Sequence, residues 1–185
     1  MRLIETGISG LVIIEPTIHG DDRGYFLETW NAERYGALGL PDRFVQSNAS
    51  RSGAGVIRGL HYQYPEPQGK LVNVLQGRVF DVAVDIRSDS PTFRQWAGVE
   101  LSSQNHRQLF VPKGFAHGFC VLSDSALLTY MVTAPFIAEH DKVVAWDDPD
   151  IGIDWPLKPN RLSEKDSTAP RLKDIDLADL PLKKE

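Results

Sequence analysis

A single cysteine, Cys120, stands in the 185-residue chain, which excludes an intrachain disulfide framework and any multi-cysteine metal cluster. It lies in Phe119-Cys120-Val121-Leu122, an apolar run that reads as packing and not as the setting of a nucleophile. Long hydrophobic runs are missing as well. The longest uncharged apolar stretch, Ala126 to Ala138, has 13 residues and contains Pro135, too short to span a bilayer. Met1-Arg2-Leu3-Ile4-Glu5 lacks the apolar core of a signal peptide, so a soluble cytoplasmic protein with no membrane partner is expected. There is no basic excess: 20 Lys and Arg face 25 Asp and Glu, a net charge of −5. A nucleic-acid partner held by a general positive field is thereby disfavoured, whereas one small anion gripped by two or three basic side chains is not.

What is present describes a globular chain. At 42% hydrophobic and 24% charged, it can bury a core, and its length is that of one domain, taken as 1–185 with residues 170–185 peripheral. The 15 Gly and 12 Pro imply many tight turns, hence many short strands. Phe80, Val82, Val84 and Ile86 alternate with Asp81, Ala83 and Asp85, which reads as a strand with one buried face. Leu71 to Leu75 precedes it across Gln76-Gly77-Arg78, a hairpin signal. Further strands are expected at 11–15, 25–29, 44–48, 56–63, 96–101, 108–111, 118–122 and 127–133, at roughly the ten-residue spacing of a sandwich or barrel. Helix is scarce: a capped turn at Asn31 to Tyr35, and one or two turns within 174–180. From Asp147 onward, loops and short helices should lie over the β body, with Lys183 to Glu185 frayed. The expected fold is all-β, a jelly-roll barrel.

Four segments hold reactive side chains. In Gly55 to Gln63, Arg58 and His61 are three apart, which sends them to opposite faces of a regular strand unless Gly59 marks a bulge. A lone strand histidine is more often a hydrogen-bonded core residue than a catalyst, but Lys70 and the strand residue Tyr130 raise the local density of reactive groups. His117, in Val111 to Phe119, reads equally well as a turn cap or a ligand contact. Asp21-Asp22-Arg23-Gly24 precedes a strand, and Leu162-Ser163-Glu164-Lys165-Asp166 reads locally as charged surface. The cupin metal motifs match only in part. Gly55-x5-His61 is present, yet Gln63 replaces the second histidine, Glu66 falls in a Pro-flanked turn, and Val121 replaces the final Asn after His117. Two histidines alone make a poor metal site, so no metal is expected.

In this order the segments resemble the dTDP-4-dehydrorhamnose 3,5-epimerase family over about residues 11–170. The resemblance is carried by Asp21-x-Arg23-Gly24-x-Phe26-x-Glu28, Phe44-Val45-Gln46-x-Asn48, Gly55 to Gln63, Gly69-Lys70-Leu71-Val72 and Gly77 to Arg87. It continues through Pro112-x-Gly114 to Phe119, Trp146-Asp147-Asp148-Pro149, Ile151-Gly152-Ile153-x-Trp155-Pro156 and Leu162-Ser163-x-Lys165-Asp166. It implies a cupin-type jelly roll, a homodimer, and chemistry with neither metal nor redox cofactor.

The resemblance also implies roles. His61 is the base that removes a proton beside the C4 carbonyl of a dTDP-4-keto-6-deoxyhexose, and Asp166 orients it. Tyr130 returns a proton from the other side, and Lys70 stabilises the enolate oxygen. Arg23 and Arg58 hold the pyrophosphate. Glu28, Gln46, Asn48 and His117 contact thymidine or sugar hydroxyls, Phe136 stacks on thymine, and Asp141 and Lys165 are further substrate contacts. The chain departs from the family pattern at His19, Ala49 and 133–141, placed near the base and sugar sites. Other readings are a single-centre epimerase acting at C3 or C5, a ketoisomerase on a related nucleotide sugar, a non-catalytic nucleotide-sugar-binding cupin, and a metal-dependent cupin disfavoured by Gln63. A strand such as Leu11 to Glu15 is a candidate for pairing across a dimer interface.

Overall fold

Short alternating segments bounded by glycine turns form antiparallel strands throughout residues 1–183, the part of the chain described by the computed structural model. Lys184 and Glu185, two of the three residues expected to fray, lie outside it. In chain order the elements are β1 (Arg2–Glu5), β2 (Val12–Glu15), β3 (Ile18–Asp21), β4 (Gly24–Leu27), α1 (Ala32–Gly36), β5 (Gln46–Gly53), β6 (Ile57–Gln63) and β7 (Lys70–Gln76). Then come β8 (Arg78–Asp85), β9 (Trp96–Ser102), β10 (Gln108–Val111), β11 (Phe115–Val121), β12 (Ser125–Val132), β13 (Asp141–Val143) and α2 (Glu164–Ser167). Three single 3-10 turns complete them.

Two sheets face each other as a jelly roll. One is six-stranded, β1-β2-β10-β7-β12-β5, and the other five-stranded, β13-β6-β11-β8-β9, while β3 and β4 form a separate hairpin. Between the sheets pack Val72, Val74, Leu109 and Leu128 from the first and Val79, Leu101, Phe115 and Val121 from the second. Behind the five-stranded sheet, Val82, Val84 and Ile86 meet Ile151, Leu172 and Leu180 of the C-terminal segment. On the far side of the six-stranded sheet, Tyr35 of α1 and Leu40 pack on Val12, Ile14, Leu71 and Phe110. The Asn31 side chain caps α1, accepting from Arg34 N at 3.0 Å as expected.

Four expectations need correction. The segments β7 and β8 are not a paired hairpin, because β7 bonds to β10 and β12 while β8 bonds to β11 and β9. Gly77 (φ +79°) is the corner where the chain changes sheet, and a Cβ there would lie 2.1 Å from the Ser125 carbonyl oxygen. Both faces of β8 are buried, not one, since the C-terminal segment covers the side that period two assigns to the core and the barrel interior takes the other. Asp81, Ala83 and Asp85 are accordingly fully buried. Asp85 is satisfied there by a two-pronged Arg87 guanidinium at 2.8 and 2.7 Å and by the hydroxyls of Ser90 and Thr92. Strand β2 is flanked by β1 and β10, so it has no free edge for a second chain. Lys183 is tied down rather than frayed, its N–H donating to Asp89 Oδ1 at 2.7 Å.

Candidate active site

Between the sheets opens a cavity of about 410 Å³. Gln46, Asn48 and Ser50 enter it from alternate positions of β5, and Leu128 and Tyr130 from β12. Arg58, His61 and Gln63 come from β6, Lys70 from β7, His117 from β11 and Asp141 from β13. Phe136 reaches it from the β12–β13 connection.

Arg58 and His61 share this wall because the strand is bulged. His117 pairs with His61, but Phe119 pairs with Arg58, so three residue steps on β6 oppose two on β11. Gly59 absorbs the extra residue at φ +129°, and a Cβ there would sit 2.6 Å from Gly118 Cα. The backbones touch where only two glycines fit.

His61 Nε2 donates to Asp166 Oδ1 at 2.6 Å. The carboxylate is almost wholly buried, while the imidazole is partly open to the cavity. Burial pushes Asp166 upward, but the bond from His61, its charge, Ser163 and the Gly59 amide together hold it below the usual carboxylate range. The local reading of 162–166 as charged surface is corrected: Ser163 caps α2 by accepting from Asp166 N at 3.1 Å, and that turn aims Asp166 inward. Its neighbour Lys165 does not line the cavity but grips Asp141, bonding to its carboxylate at 2.5 Å and its carbonyl at 3.2 Å.

Lys70 is 9% exposed, and burial brings its ammonium down from 10.5 to about 8, while Asp141 and Asp81 pull it up and Lys165 opposes them. Tyr130, on the opposite sheet from His61, has its phenol pushed up by burial, with Arg58 opposing and Asp141 assisting. A second His–Asp pair lines the same space: His117 Nε2 donates to Asp81 Oδ1 at 2.8 Å, and Asp81 Oδ2 has no hydrogen-bond partner among the described residues. Asp81 escaped the sequence reading because its period-two position assigns it to solvent. The signal was an acid inside the otherwise apolar Val79 to Val84.

Besides Lys165 and the buried Asp166, two further expected residues do not line the cavity. Arg23 lies on the β3–β4 hairpin, clamped to Asp21 and largely exposed, and Glu28 pairs with Arg34. Of the departures from the family pattern, His19 lies with Phe26 and Glu28 in a separate hollow, and Ala49 faces away from the cavity between Asn48 and Ser50. Only 133–141 touches it, through Phe136 and Asp141. Cys120 is buried among strands, its thiol pushed up by burial. Among the described residues no three His, Cys, Asp or Glu side chains converge as metal ligands would, and no helix is long and apolar enough to cross a membrane.

The cavity of this jelly roll gathers a His–Asp pair, a phenol from the facing sheet and a buried ammonium, side chains of the types that serve general acid–base chemistry. The chain belongs to the dTDP-4-dehydrorhamnose 3,5-epimerase family, whose model matches residues 5–174. It is 54% identical to the dTDP-6-deoxy-D-glucose-3,5-epimerase of Legionella pneumophila, solved in complex with dTDP-4-keto-L-rhamnose, with a TM-score of 0.95 covering 98% of this chain and 97% of that one. The dTDP-4-dehydrorhamnose 3,5-epimerase of Methanothermobacter thermautotrophicus is 53% identical over 85% of each chain. A 3′-monoepimerase from Streptomyces bikiniensis, in complex with dTDP-quinovose, is 34% identical with a TM-score of 0.89, over 96% of this chain and 91% of that one.

Proposed function

We propose that this chain epimerises C3 and C5 of dTDP-4-dehydro-6-deoxy-D-glucose to give dTDP-4-dehydro-L-rhamnose. The observation that carries the reading is the division of proton donors and acceptors between facing sheets, with His61 on β6 and Tyr130 on β12. With Nε2–H committed to Asp166, the Nδ1 lone pair takes the proton from the carbon beside the C4 carbonyl. Electrons move into the carbonyl, and Lys70 meets the resulting enolate oxygen as an ammonium. Tyr130 then delivers a proton to the opposite face of that carbon, and solvent exchange restores both groups before the second centre reacts. Arg58, held by a bond to Ser52 Oγ at 2.9 Å, faces the pyrophosphate, and Gln46, Asn48, His117 and Asp141 face the sugar and base. Phe136 stacks on thymine, and Lys165 fixes Asp141. Two-centre action is supported by 53–54% identity to two 3,5-epimerases, against 34% to the 3′-monoepimerase.

The protein works as a single-domain cytoplasmic homodimer. Arg23 and Glu28 sit on a hairpin outside their own cavity, and in the dimer that hairpin, with Tyr25 and Phe26 exposed, reaches the cavity of the partner. Incubation with the 4-keto nucleotide sugar in deuterated water tests the chemistry. Deuterium is expected at both C3 and C5, and His61→Ala should abolish exchange while keeping dTDP affinity near wild type. Label at one carbon would establish the single-centre alternative. Binding without label would make the protein a non-catalytic module.

A further inference from the structure

Residues 134–137 run between β12 and the 3-10 turn at Ala138–His140 and bring Phe136 to the cavity. This stretch joins no sheet, so its backbone polar groups must find other partners. Side-chain amides supply them. Gln63, buried at the end of β6, accepts from Ile137 N at 2.9 Å. Its Nε2 donates to the Pro135 carbonyl at 3.1 Å and to the Glu66 carbonyl at 2.8 Å. The two ends of one amide therefore hold the chain on either side of Phe136. Gln68 Nε2 donates to the Ala134 carbonyl, and Gln46 Oε1 accepts from Phe136 N, each at 2.9 Å. A planar head with a donor and an acceptor is what this junction uses, and a carboxylate or an aliphatic side chain at 63 lacks one or both.

We infer that Gln63 is a positioning residue for nucleotide recognition, clipping residues 135–137 so that the Phe136 ring is presented to the base. It stands where the cupin motif places its second histidine, and the position serves loop placement here. The inference rests on the reading that Phe136 stacks on thymine, and it adds what holds that ring in place.

The test compares wild type, Q63A, Q63E, F136A and Q63A/F136A, measuring dTDP binding by calorimetry beside steady-state turnover. Q63A is expected to weaken dTDP binding and raise KM by about tenfold, with kcat within about twofold of wild type. Q63E keeps the acceptor for Ile137 N and nearly the same volume, and its KM should fall between the two. With Phe136 already removed, replacing Gln63 should change dTDP affinity no further. Equal effects in both backgrounds, or loss in kcat at unchanged KM, overturn the inference. Should Q63A fail to fold, Q63E decides, and wild-type KM in Q63E refutes the clip. Wild type that does not bind dTDP would instead strike down the nucleotide reading itself. Wild type that binds dTDP beside an unaffected Q63A sinks the clip alone.

Discussion

The two nitrogens of the His61 imidazole have different work. Nε2 is committed to Asp166, which in the proposed mechanism leaves Nδ1 to take the proton. Lys70 shows the opposite use of burial, which weakens its hold on a proton instead of strengthening a bond. With a folded pKa of about 8 against an ordinary 10.5, its charge is lost from the fold first as pH rises. Turnover should therefore fall along an alkaline limb near pH 8, where Tyr130, pushed upward, still keeps its proton. Lys70→Met should lower kcat by about 10²–10³ and abolish that limb. Stability moves the other way. Between pH 8 and 10.5 the unfolded chain binds the extra proton, so wild type should gain stability with rising pH relative to Lys70→Met, as thermal melts would record. Equal pH slopes in the two proteins would contradict the assignment. These residue types were visible as candidates in the sequence. The His61–Asp166 contact was legible only through the family resemblance, because its partners are 105 residues apart and the local context of Asp166 is uniformly charged.

Strand β6 explains why spacing alone left Arg58 and His61 undecided. Period two separates them unless Gly59 marks a bulge, and the bulge does reunite them; the close approach of Gly118 on β11, which lies outside β6, decides it. Gly59→Ala should cost about 2–4 kcal/mol in denaturant unfolding, since it combines a positive φ with a clash against backbone that cannot yield. Activity should fall further than stability predicts, and a variant with wild-type melting and turnover would show that the bulge is dispensable. Long, strongly alternating strands such as β8, β9 and β12 were readable from pattern. β1, β3 and β13, of four, four and three residues, carry mixed polar sequences, and pairing with neighbours is what makes them strands. The glycine corner at 77 misled for a related reason: a turn signal states that the chain reverses, not which sheet it enters.

In the proposed homodimer, function depends on quaternary structure. If the β3–β4 hairpin serves the partner's cavity, Arg23→Ala and His61→Ala should complement one another. Each protein alone is impaired, but in a mixed dimer one cavity combines an intact His61 with an intact Arg23. Co-refolding the two in equal amounts should restore about a quarter of wild-type activity, since half the dimers are mixed and each has one sound site. No gain over the sum of the separate variants would mean that Arg23 acts within its own chain or not at all. Composition had already allowed for such a site: a −5 chain can still hold one diphosphate when a few guanidinium groups converge on it.

Synthesis from the N-terminus delivers every strand of both sheets before the ribosome reaches Asp166. Up to that moment the nascent chain has His61 without the carboxylate proposed to orient it. The same late segment supplies Leu172 and Leu180, which cover Val82, Val84 and Ile86. A chain cut short before Asp166 should therefore lose turnover and bare an apolar sheet face together. The proposed base and the cover of the apolar sheet face thus rest on one stretch, Asp166 to Leu180.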